Sequence, residues 1–286
     1  MQLNRTPLAV DNLFRKQVEG NAKAWIFTSA TLAVDGNFQH FCGELGLDDA
    51  ATGCWDSPFD YKSQALLYVP KQMPQPNSAE FTQAVVEQAW PALLASQGRA
   101  FLLFTSLRAM REAYELAKRR FDEQQLDYPL LLQGEGSRTE LLEKFRTSPH
   151  AVLVASQTFW EGVDVRGDAL QLVVIDKLPF APPDDPVLAA RVEQMNKAGR
   201  NPFMEFQLPR AAITLKQGAG RLIRDETDRG VLMICDTRLV DKPYGKKIWK
   251  SLPPMLKTRD ASVIPRFFAQ SIEDSSEAVD SPATDP

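Results

Sequence analysis

Residues 216–224 read Lys-Gln-Gly-Ala-Gly-Arg-Leu-Ile-Arg, and the rest of the chain is organised around this stretch. The pattern predicts a helix in which Arg221 and Arg224, three residues apart, share one face, with Gln217 one turn earlier. The two glycines are each expected to cost about 1 kcal/mol relative to alanine inside a helix, which indicates that a ligand or another backbone approaches closely there. Paired guanidinium groups grip phosphate oxygens through parallel hydrogen bonds, so the stretch suits a polyphosphate. The alternative is a surface helix with solvated arginines.

Continuously apolar runs alternate with helical patterns on both sides of this stretch. Strands are predicted at residues 24–27, 65–69, 100–104, 129–132, 151–154, 172–175 and 231–234. Helices are predicted at residues 37–47, 78–96, 107–125, 137–145, 185–198 and 202–224, with a capping box formed by Ser137 and Glu140. This alternation predicts an α/β fold with a mostly parallel sheet, flanking helices and right-handed crossovers. In such sheets ligands bind beyond the carboxyl ends of the strands.

The composition is that of a soluble globular protein: 286 residues, of which 44% are hydrophobic and 24% are charged. The three cysteines show no CxxC pairing or metal-ligand spacing, so they indicate buried thiols in a reducing compartment and argue against a metal site. The sequence shows neither a signal peptide nor an apolar run long enough to cross a membrane. We therefore expect a cytoplasmic protein that does not contact a membrane.

The charge of the chain is unevenly distributed. Its net charge is −4, and between Ser271 and Pro286 there are five acidic residues and no lysine or arginine. The rest of the chain is therefore nearly neutral, and such a body can bind DNA if its basic groups are gathered on one face. The acidic tail is expected to be disordered.

Three stretches resemble motifs of superfamily 2 helicases and occur in the expected order. Residues 217–224 resemble motif VI (QxxGRxxR), residues 28–32 (Thr-Ser-Ala-Thr-Leu) resemble motif III, and residues 156–164 (Ser-Gln-Thr-Phe-Trp-Glu-Gly-Val-Asp) resemble motif V. Their forms are those of the XPD/DinG branch, and the resemblance, from about Trp25 to about Leu252, is closest to bacterial DinG/YoaA proteins. It implies a RecA-like domain of the P-loop NTPase type, the second of two motor domains.

The resemblance also implies roles for individual residues. Arg221 and Arg224 would act as arginine fingers on the ATP phosphates, and Gln217 would couple the γ-phosphate to domain closure. The implied nucleotide contacts are Glu161, Gly162, Asp164 and Gly220, and the implied contacts to single-stranded DNA are Ser29, Thr31, Ser106, Ser156 and Thr158. The alternatives are a glycine turn with a solvated aspartate for motif V and an N-cap role for Ser106. Phe159 and Trp160 are candidates for stacking on bases, against a core role for one of them.

The sequence lacks the parts of a helicase that hold the nucleotide. Neither GxxxxGK[ST] nor a DEAH-like box occurs, and the glycine-rich residues 134–137 lack the lysine that reaches the β- and γ-phosphates. The four cysteines that hold an iron–sulfur cluster in the family are also missing. We therefore expect ATP and Mg²⁺ to be bound mainly by an N-terminal half outside this sequence, which would also carry the cluster. This chain alone is predicted not to hydrolyse ATP.

The leading hypothesis is the C-terminal half of an ATP-dependent, 5′-to-3′ DNA helicase of repair or replication, whose partners are single-stranded DNA and the N-terminal helicase domain. Residues 1–20 would be a leader from the preceding domain, 21–256 the RecA-like domain, 257–270 a short amphipathic segment and 271–286 the tail. The alternative is a non-catalytic RecA-like module that docks through residues 257–268 on a partner such as a replication clamp-loader subunit. For that segment, packing as a C-terminal helix on its own domain is the competing interpretation.

Overall fold

The computed structural model describes residues 6–19, 23–156, 159, 165, 167–182 and 184–269. The chain divides into two compact units. The helical unit comprises Met1–Ser57, Pro179–Gln217 and Leu239–Leu252, and the sheet unit comprises Pro58–Leu178, Gly218–Arg238 and Pro253–Pro286. The limits expected from sequence at residues 20, 256 and 270 stay predictions.

The helices of the described ranges follow one another along both units. They are α1 (Asp11–Val18), α2 (Gln39–Leu45), α3 (Tyr61–Gln64), α4 (Phe81–Ala95), α5 (Leu107–Glu123), α6 (Arg138–Thr147), α7 (Pro186–Lys197), α8 (Leu208–Ala219), α9 (Arg238–Asp241) and α10 (Gly245–Ser251). A 3-10 turn covers Gly167–Ala169, a π-helical turn covers Phe203–Gln207, and a further helical stretch covers residues 263–269. The capping box predicted for α6 is confirmed, because Glu140 N–H donates to Ser137 Oγ at 3.2 Å and Ser137 N–H donates to Glu140 Oε2 at 2.8 Å.

The sheet unit contains an all-parallel sheet, seven strands wide in the described part of the chain. The strands are β1 (Ala65–Tyr68), β2 (Ala100–Phe104), β3 (Leu130–Leu132), β4 (Val152–Ser156), β5 (Leu172–Ile175), β6 (Gly230–Ile234) and β7 (Leu256–Thr258). They lie in the order β3-β4-β2-β5-β6-β1-β7, and every neighbouring pair is parallel. The predicted parallel α/β fold is therefore confirmed.

Burial on both faces explains why the inner strands have continuously apolar sequences. All residues of β1, β2, β4, β5 and β6 are buried, as expected for strands covered by helices on each side. Helices α4 and α5 pack against the sheet through side chains such as Phe81, Trp90 and Met110. The core also includes Ile264 and Phe267 of the C-terminal helical stretch. The part of the amphipathic segment described by the structure thus packs on its own unit, which was the competing interpretation for it.

The predicted strand at residues 24–27 is wrong. Residues 23–29 have no regular secondary structure, and Ile26 is 84% exposed. Its neighbours Trp25 and Phe27 instead form an aromatic cluster with Phe14 of α1, at ring-centroid distances of 5.4 and 5.8 Å. An apolar run of four residues predicts burial but does not specify its partner, and here the partner is a helix.

Candidate functional site

One edge of the sheet unit gathers the polar residues that follow its central strands. Strands β4, β2, β5 and β6 are neighbours and run parallel, so their carboxyl ends meet at the same edge. Ser156 ends β4, Ser106 follows β2, Asp176 follows β5 and Asp236 follows β6. Ligands of open α/β sheets bind at this edge, which makes it the candidate site of the sheet unit.

Asp176 links the ends of β5 and β2. Its Oδ1 accepts hydrogen bonds from the backbone N–H groups of Thr105, at 2.9 Å, and Lys177, at 2.7 Å, and its Oδ2 is 3.2 Å from the Thr105 hydroxyl. The side chain is almost fully buried, and this burial raises the pKa of the Asp176 carboxyl to about 6, against the opposing effects of Lys177 and the hydrogen bonds. The carboxylate thereby sets the path of the chain immediately before Ser106.

Asp236 plays a comparable part at the end of β6. It is fully buried and accepts a hydrogen bond from the Leu178 N–H at 2.9 Å. It also accepts from the backbone N–H of Arg238, at 3.0 Å, and from its guanidinium Nε, at 2.9 Å. The carboxylate lies inside the protein, where a charge requires such partners.

The two serines predicted to bind DNA at this edge already have partners within the chain. Ser106 is exposed and its Oγ accepts the Ala109 N–H at 3.2 Å, so it is the N-cap of α5. Ser156 is 8% exposed, and both its backbone N–H and its hydroxyl donate to Gln133 Oε1, at 2.7 and 2.9 Å. Their proposed DNA contacts stay predictions, and for Ser156 a phosphate would have to compete with Gln133.

Thr158, Trp160, Glu161, Gly162 and Asp164 lie outside the described residues.

The one motif V aromatic that is described, Phe159, has a core position. It is 4% exposed, its carbonyl accepts from an Arg138 guanidinium N–H at 2.7 Å, and that guanidinium lies 5.4 Å from the ring centroid. A core role for one of the two motif V aromatic residues was the alternative to stacking on bases, and Phe159 has that role.

The helix predicted to carry both motif VI arginines ends before it reaches them. Helix α8 stops at Ala219, and Arg221 and Arg224 lie in the turn and loop that follow. The prediction that they share a helix face is therefore wrong. The N–H groups of Arg224 and the next residue donate to Asp228 Oδ2, at 2.7 and 2.9 Å, instead of to carbonyls one helical turn earlier. The low helix propensity of two glycines helps to end the helix here.

A clamp made by Asp228 and Gln64 holds the loop that carries Arg224. Asp228 is 5% exposed, and its second oxygen accepts the Gly167 N–H at 3.1 Å. Gln64 Nε2 lies 2.8, 2.9 and 3.0 Å from three carbonyl oxygens of residues 225, 226 and 228. An amide has only two N–H donors, so at least one N–H must be shared between two of the three carbonyl oxygens. Sequence reasoning did not identify either residue.

Gly230, just after this clamp, explains why the loop returns so tightly to the sheet. A Cβ at this position would lie 2.5 Å from Leu222 Cδ1 and 2.7 Å from the Gln171 carbonyl oxygen. Leu222 and Ile223, between the two arginines, are themselves buried. The backbone around Arg221 and Arg224 is therefore anchored on both sides.

In the helical unit, motif III meets the end of α8. Ser29 Oγ and Thr31 Oγ1 are 3.1 Å apart, and Gln217 Nε2 lies 3.5 Å from Thr31 Oγ1, at the limit of a hydrogen bond. Two motifs that are 186 residues apart in sequence thus share one polar cluster. It contains three of the residues predicted for the site.

The helical unit also contains a cavity of about 890 Å³. Arg191 on its wall pairs with Glu44 at 3.1 Å and lies 5.0 Å from the Phe206 ring, which Arg210 approaches to 5.2 Å. His40 lines the same wall, and burial lowers the pKa of its imidazole, assisted by these arginines and opposed by Glu44. Because the cavity carries both signs of charge, it does not identify a ligand.

The part of the chain that the structure describes contains neither a cluster of metal ligands nor a helix that could span a membrane. No group of three or more His, Cys, Asp or Glu side chains there is arranged to hold a metal ion. No helix among these residues is both long and apolar enough to cross a membrane.

Comparison with known proteins places this geometry in context. Residues 90–255 match the family model described as "Helicase C-terminal domain". ATP-dependent DNA helicase YoaA of Haemophilus influenzae is 49% identical over 266 residues, which are 93% of this chain and 41% of that protein. ATP-dependent helicase DinG of Mycobacterium tuberculosis is 38% identical over 272 residues, 92% of this chain and 39% of that protein. The chain thus spans about two fifths of the length of the curated relatives it matches.

A solved structure named "XPD_APO" has the same fold. It is 20% identical, covers 70% of this chain and 40% of its own, and superposes with a TM-score of 0.50. At this identity the likeness concerns the fold alone, and it agrees with the predicted RecA-like architecture.

Proposed function

The chain belongs to the helicase C-terminal domain family, in its XPD/DinG-type form, and from this premise we propose that it is the C-terminal motor half of an ATP-dependent DNA helicase. The names of the relatives support ATP as the energy source and DNA as the substrate. The 5′-to-3′ direction and a role in repair or replication are inferred from the resemblance of the three motifs.

The anchored backbone at Arg224 is the observation that supports this proposal most directly. An arginine finger stabilises charge that develops on the transferred phosphoryl group, and it is most effective when it needs little reorganisation. The Arg224 N–H is held by a buried carboxylate at 2.7 Å, and the carbonyls that follow are held by Gln64. A solvated arginine on an ordinary surface loop would not require such a clamp.

The residues predicted from the motifs would act together with an N-terminal half. Arg221 and Arg224 would act on phosphates of an ATP whose P-loop and Mg²⁺ ligands that half supplies, together with any iron–sulfur cluster. Gln217, beside Thr31, would couple the γ-phosphate to domain closure. Glu161, Gly162, Asp164 and Gly220 would complete the nucleotide contacts, and Ser29, Thr31, Ser106, Ser156 and Thr158 would contact the single strand.

The decisive experiment supplies the N-terminal half in trans and measures DNA-stimulated ATP hydrolysis. The chain alone should show none, and the mixture should restore it. Arg221→Ala or Arg224→Ala should then lower kcat by about 10³-fold with little change in KM, as expected for an arginine finger. Arg146→Ala is the matched control, because Arg146 lies on α6 in a surface pair with Glu143.

Two results would contradict the proposal. One is robust DNA-stimulated hydrolysis by the chain alone. The other is a restored activity that responds equally to loss of Arg146 and of Arg224.

A clamp-loader subunit as partner is the finer part of the proposal. Phe267 is 4% exposed and lies 4.4 Å from the Arg229 guanidinium, so a docking partner would have to use the exposed side of the segment, for example Lys257 or Arg266. A pull-down with the clamp-loader subunit should weaken for Lys257→Glu combined with Arg266→Glu. Unchanged capture by this variant would remove the segment from the proposal.

A further inference from the structure

Helix α10 presents a lysine face in the helical unit. Its buried residues are Gly245, Ile248 and Ser251, and its exposed lysines are Lys246, Lys247 and Lys250. With about 100° of rotation per residue, the three lysines lie within an arc of about 100° on the side opposite the buried residues. One face of the helix is thus buried, and the opposite face exposes positive charge.

This lysine face has few acidic neighbours along the chain, although Lys247 also lines the cavity of the helical unit, whose wall includes Asp11, Asp35, Glu44 and Glu205. Residues 239–252 carry four lysines and a single acidic residue. In the described ranges, none of the four ammonium groups lies within ion-pair distance of a carboxylate, whereas Lys197 lies 2.7 Å from Glu193. For a chain with a net charge of −4, such a local concentration of one sign indicates an anionic partner.

An aromatic cluster begins where α10 begins. Tyr244 is the N-cap residue of α10, and its ring lies 5.0 Å from that of Phe203 and 6.1 Å from that of Phe180. The Phe180 and Phe203 rings are 5.6 Å apart, and all three side chains are partly exposed. Phe180 belongs to residues 179–183, Pro-Phe-Ala-Pro-Pro.

We propose that the lysine face of α10 and this aromatic cluster, together called the α10 surface, bind single-stranded DNA. The inference rests on the proposed function and adds a contact region outside motifs III to VI. Lysines supply charge for phosphates, and exposed rings supply faces on which unpaired bases stack. A duplex hides its base faces and would use only the lysines, as would an acidic peptide. The combination of both features within one unit favours the single strand.

The test of the lysine face uses the chain as it is, with a fluorescently labelled oligothymidylate and anisotropy read over a series of salt concentrations. The triple variant Lys246→Gln, Lys247→Gln, Lys250→Gln should bind at least tenfold more weakly at low salt. Its slope of log K against log salt should also be shallower by about 2, since each phosphate contact to a single strand contributes about 0.7.

The matched control removes the same charge elsewhere. Lys118 and Arg119, in the second half of α5, and Lys144, in the last turn of α6, are exposed in the sheet unit. Both helices end where the chain returns to the amino ends of the strands, whereas Ser106 and Ser156 lie at the carboxyl ends. Their triple glutamine variant should keep the affinity and salt slope of the unmodified chain.

The aromatic cluster is tested with Tyr244→Ala and Tyr244→Phe. Alanine should weaken binding to oligothymidylate at least fivefold, as expected when a stacking ring is lost, and should leave binding to an abasic strand of equal length unchanged. Phenylalanine keeps the ring and should keep the affinity. Circular dichroism melts of both variants verify folding, and Phe203→Leu replaces Tyr244→Ala if the latter unfolds.

The outcomes separate this inference from the proposed function. If the unmodified chain binds single-stranded DNA but the lysine variant matches its control, the α10 surface is not a DNA contact, while the helicase assignment stands. If the lysine variant loses duplex binding equally and the ring variants have no effect, the single-strand inference is overturned. If the unmodified chain does not bind single strands, the DNA contacts of the proposed function fail as well.

Discussion

Replacement of Asp228 by asparagine tests whether one buried carboxylate holds the motif VI loop. The carboxylate accepts three backbone N–H groups, at 2.7, 2.9 and 3.1 Å, with two on one oxygen and one on the other. Asparagine has a single acceptor oxygen. If the asparagine oxygen accepts the hydrogen bonds from the N–H groups of Arg224 and Asp225, the asparagine NH₂ group must face the N–H of Gly167. Two hydrogen-bond donors then face each other.

The expected loss of stability follows from the hydrogen bonds that the substitution removes. A hydrogen bond to a charged acceptor contributes about 1.5–3 kcal/mol, and a buried donor left without an acceptor costs about 1–3 kcal/mol. We therefore expect Asp228→Asn to lower the free energy of unfolding by about 3 kcal/mol. For a unit of this size that corresponds to a fall in Tm of about 6–12 °C.

Urea denaturation measures the global effect, and amide hydrogen exchange at residues 224 and 225 measures the local one. Asp225→Asn is the control, because Asp225 is exposed and, among the described residues, its carboxylate accepts a long hydrogen bond, 3.4 Å, from the Thr227 N–H. It should change stability by less than about 0.5 kcal/mol. If the N–H groups of residues 224 and 225 exchange as slowly in Asp228→Asn as in the unmodified chain, the reasoning about the clamp is refuted.

Three further predictions concern the sheet unit. Asp176→Asn should keep all three hydrogen bonds, because its oxygen can accept both N–H groups and its NH₂ can donate to the hydroxyl. The carboxyl pKa is raised from 3.8 to about 6 in the folded state, which therefore binds the proton more tightly, so the contribution of Asp176 to the free energy of unfolding should fall by about 2 kcal/mol as pH rises from 4 to 6. The asparagine variant should lack that slope in urea denaturation at several pH values, and an unchanged slope would refute the raised pKa. Gly230→Ala should lower the free energy of unfolding by about 1–3 kcal/mol through overpacking. Gly43→Ala is the control, because a Cβ there would meet nothing within 4 Å in a helix interior, so this variant should be as stable as the unmodified chain or more stable. Equal melting temperatures of the two variants would count against the close contact at Gly230. Phe267→Ala should cost about 3–5 kcal/mol as a core truncation, with the half-exposed Leu256→Ala as a control below about 1 kcal/mol; a calorimetric melt in which both behave alike would show that the C-terminal stretch is not part of the core.

The strands that were predicted and the strand that was missed differ in their burial. Strands β2, β4, β5 and β6 are covered on both faces, so almost every residue had to be apolar and the runs were visible in the sequence. Strand β7 is a short edge strand with Leu256 and Lys257 exposed, and its sequence Leu-Lys-Thr has no such pattern. Edge strands have fewer packing constraints, so their sequences carry less information.

In the candidate site, too, local features were predictable from sequence and long-range contacts were not. The motif residues were recognisable because each motif is a contiguous pattern, and the N-cap role of Ser106 was readable because it depends on neighbours three residues away. The partner of Ser156 was not readable, because Gln133 lies 23 residues earlier and comes beside it only through the pairing of β3 with β4.

By itself, the sequence determined a parallel α/β sheet, the order of its elements and the short motifs that identify a helicase domain, because these depend on local spacing and on the apolar character of buried strands. Only the tertiary structure decided where α8 ends and what holds Arg224. The reason is physical: Gln64 meets the motif VI loop across 161 residues of chain, and hydrogen bonds between such distant groups exist only after the sheet has brought them together.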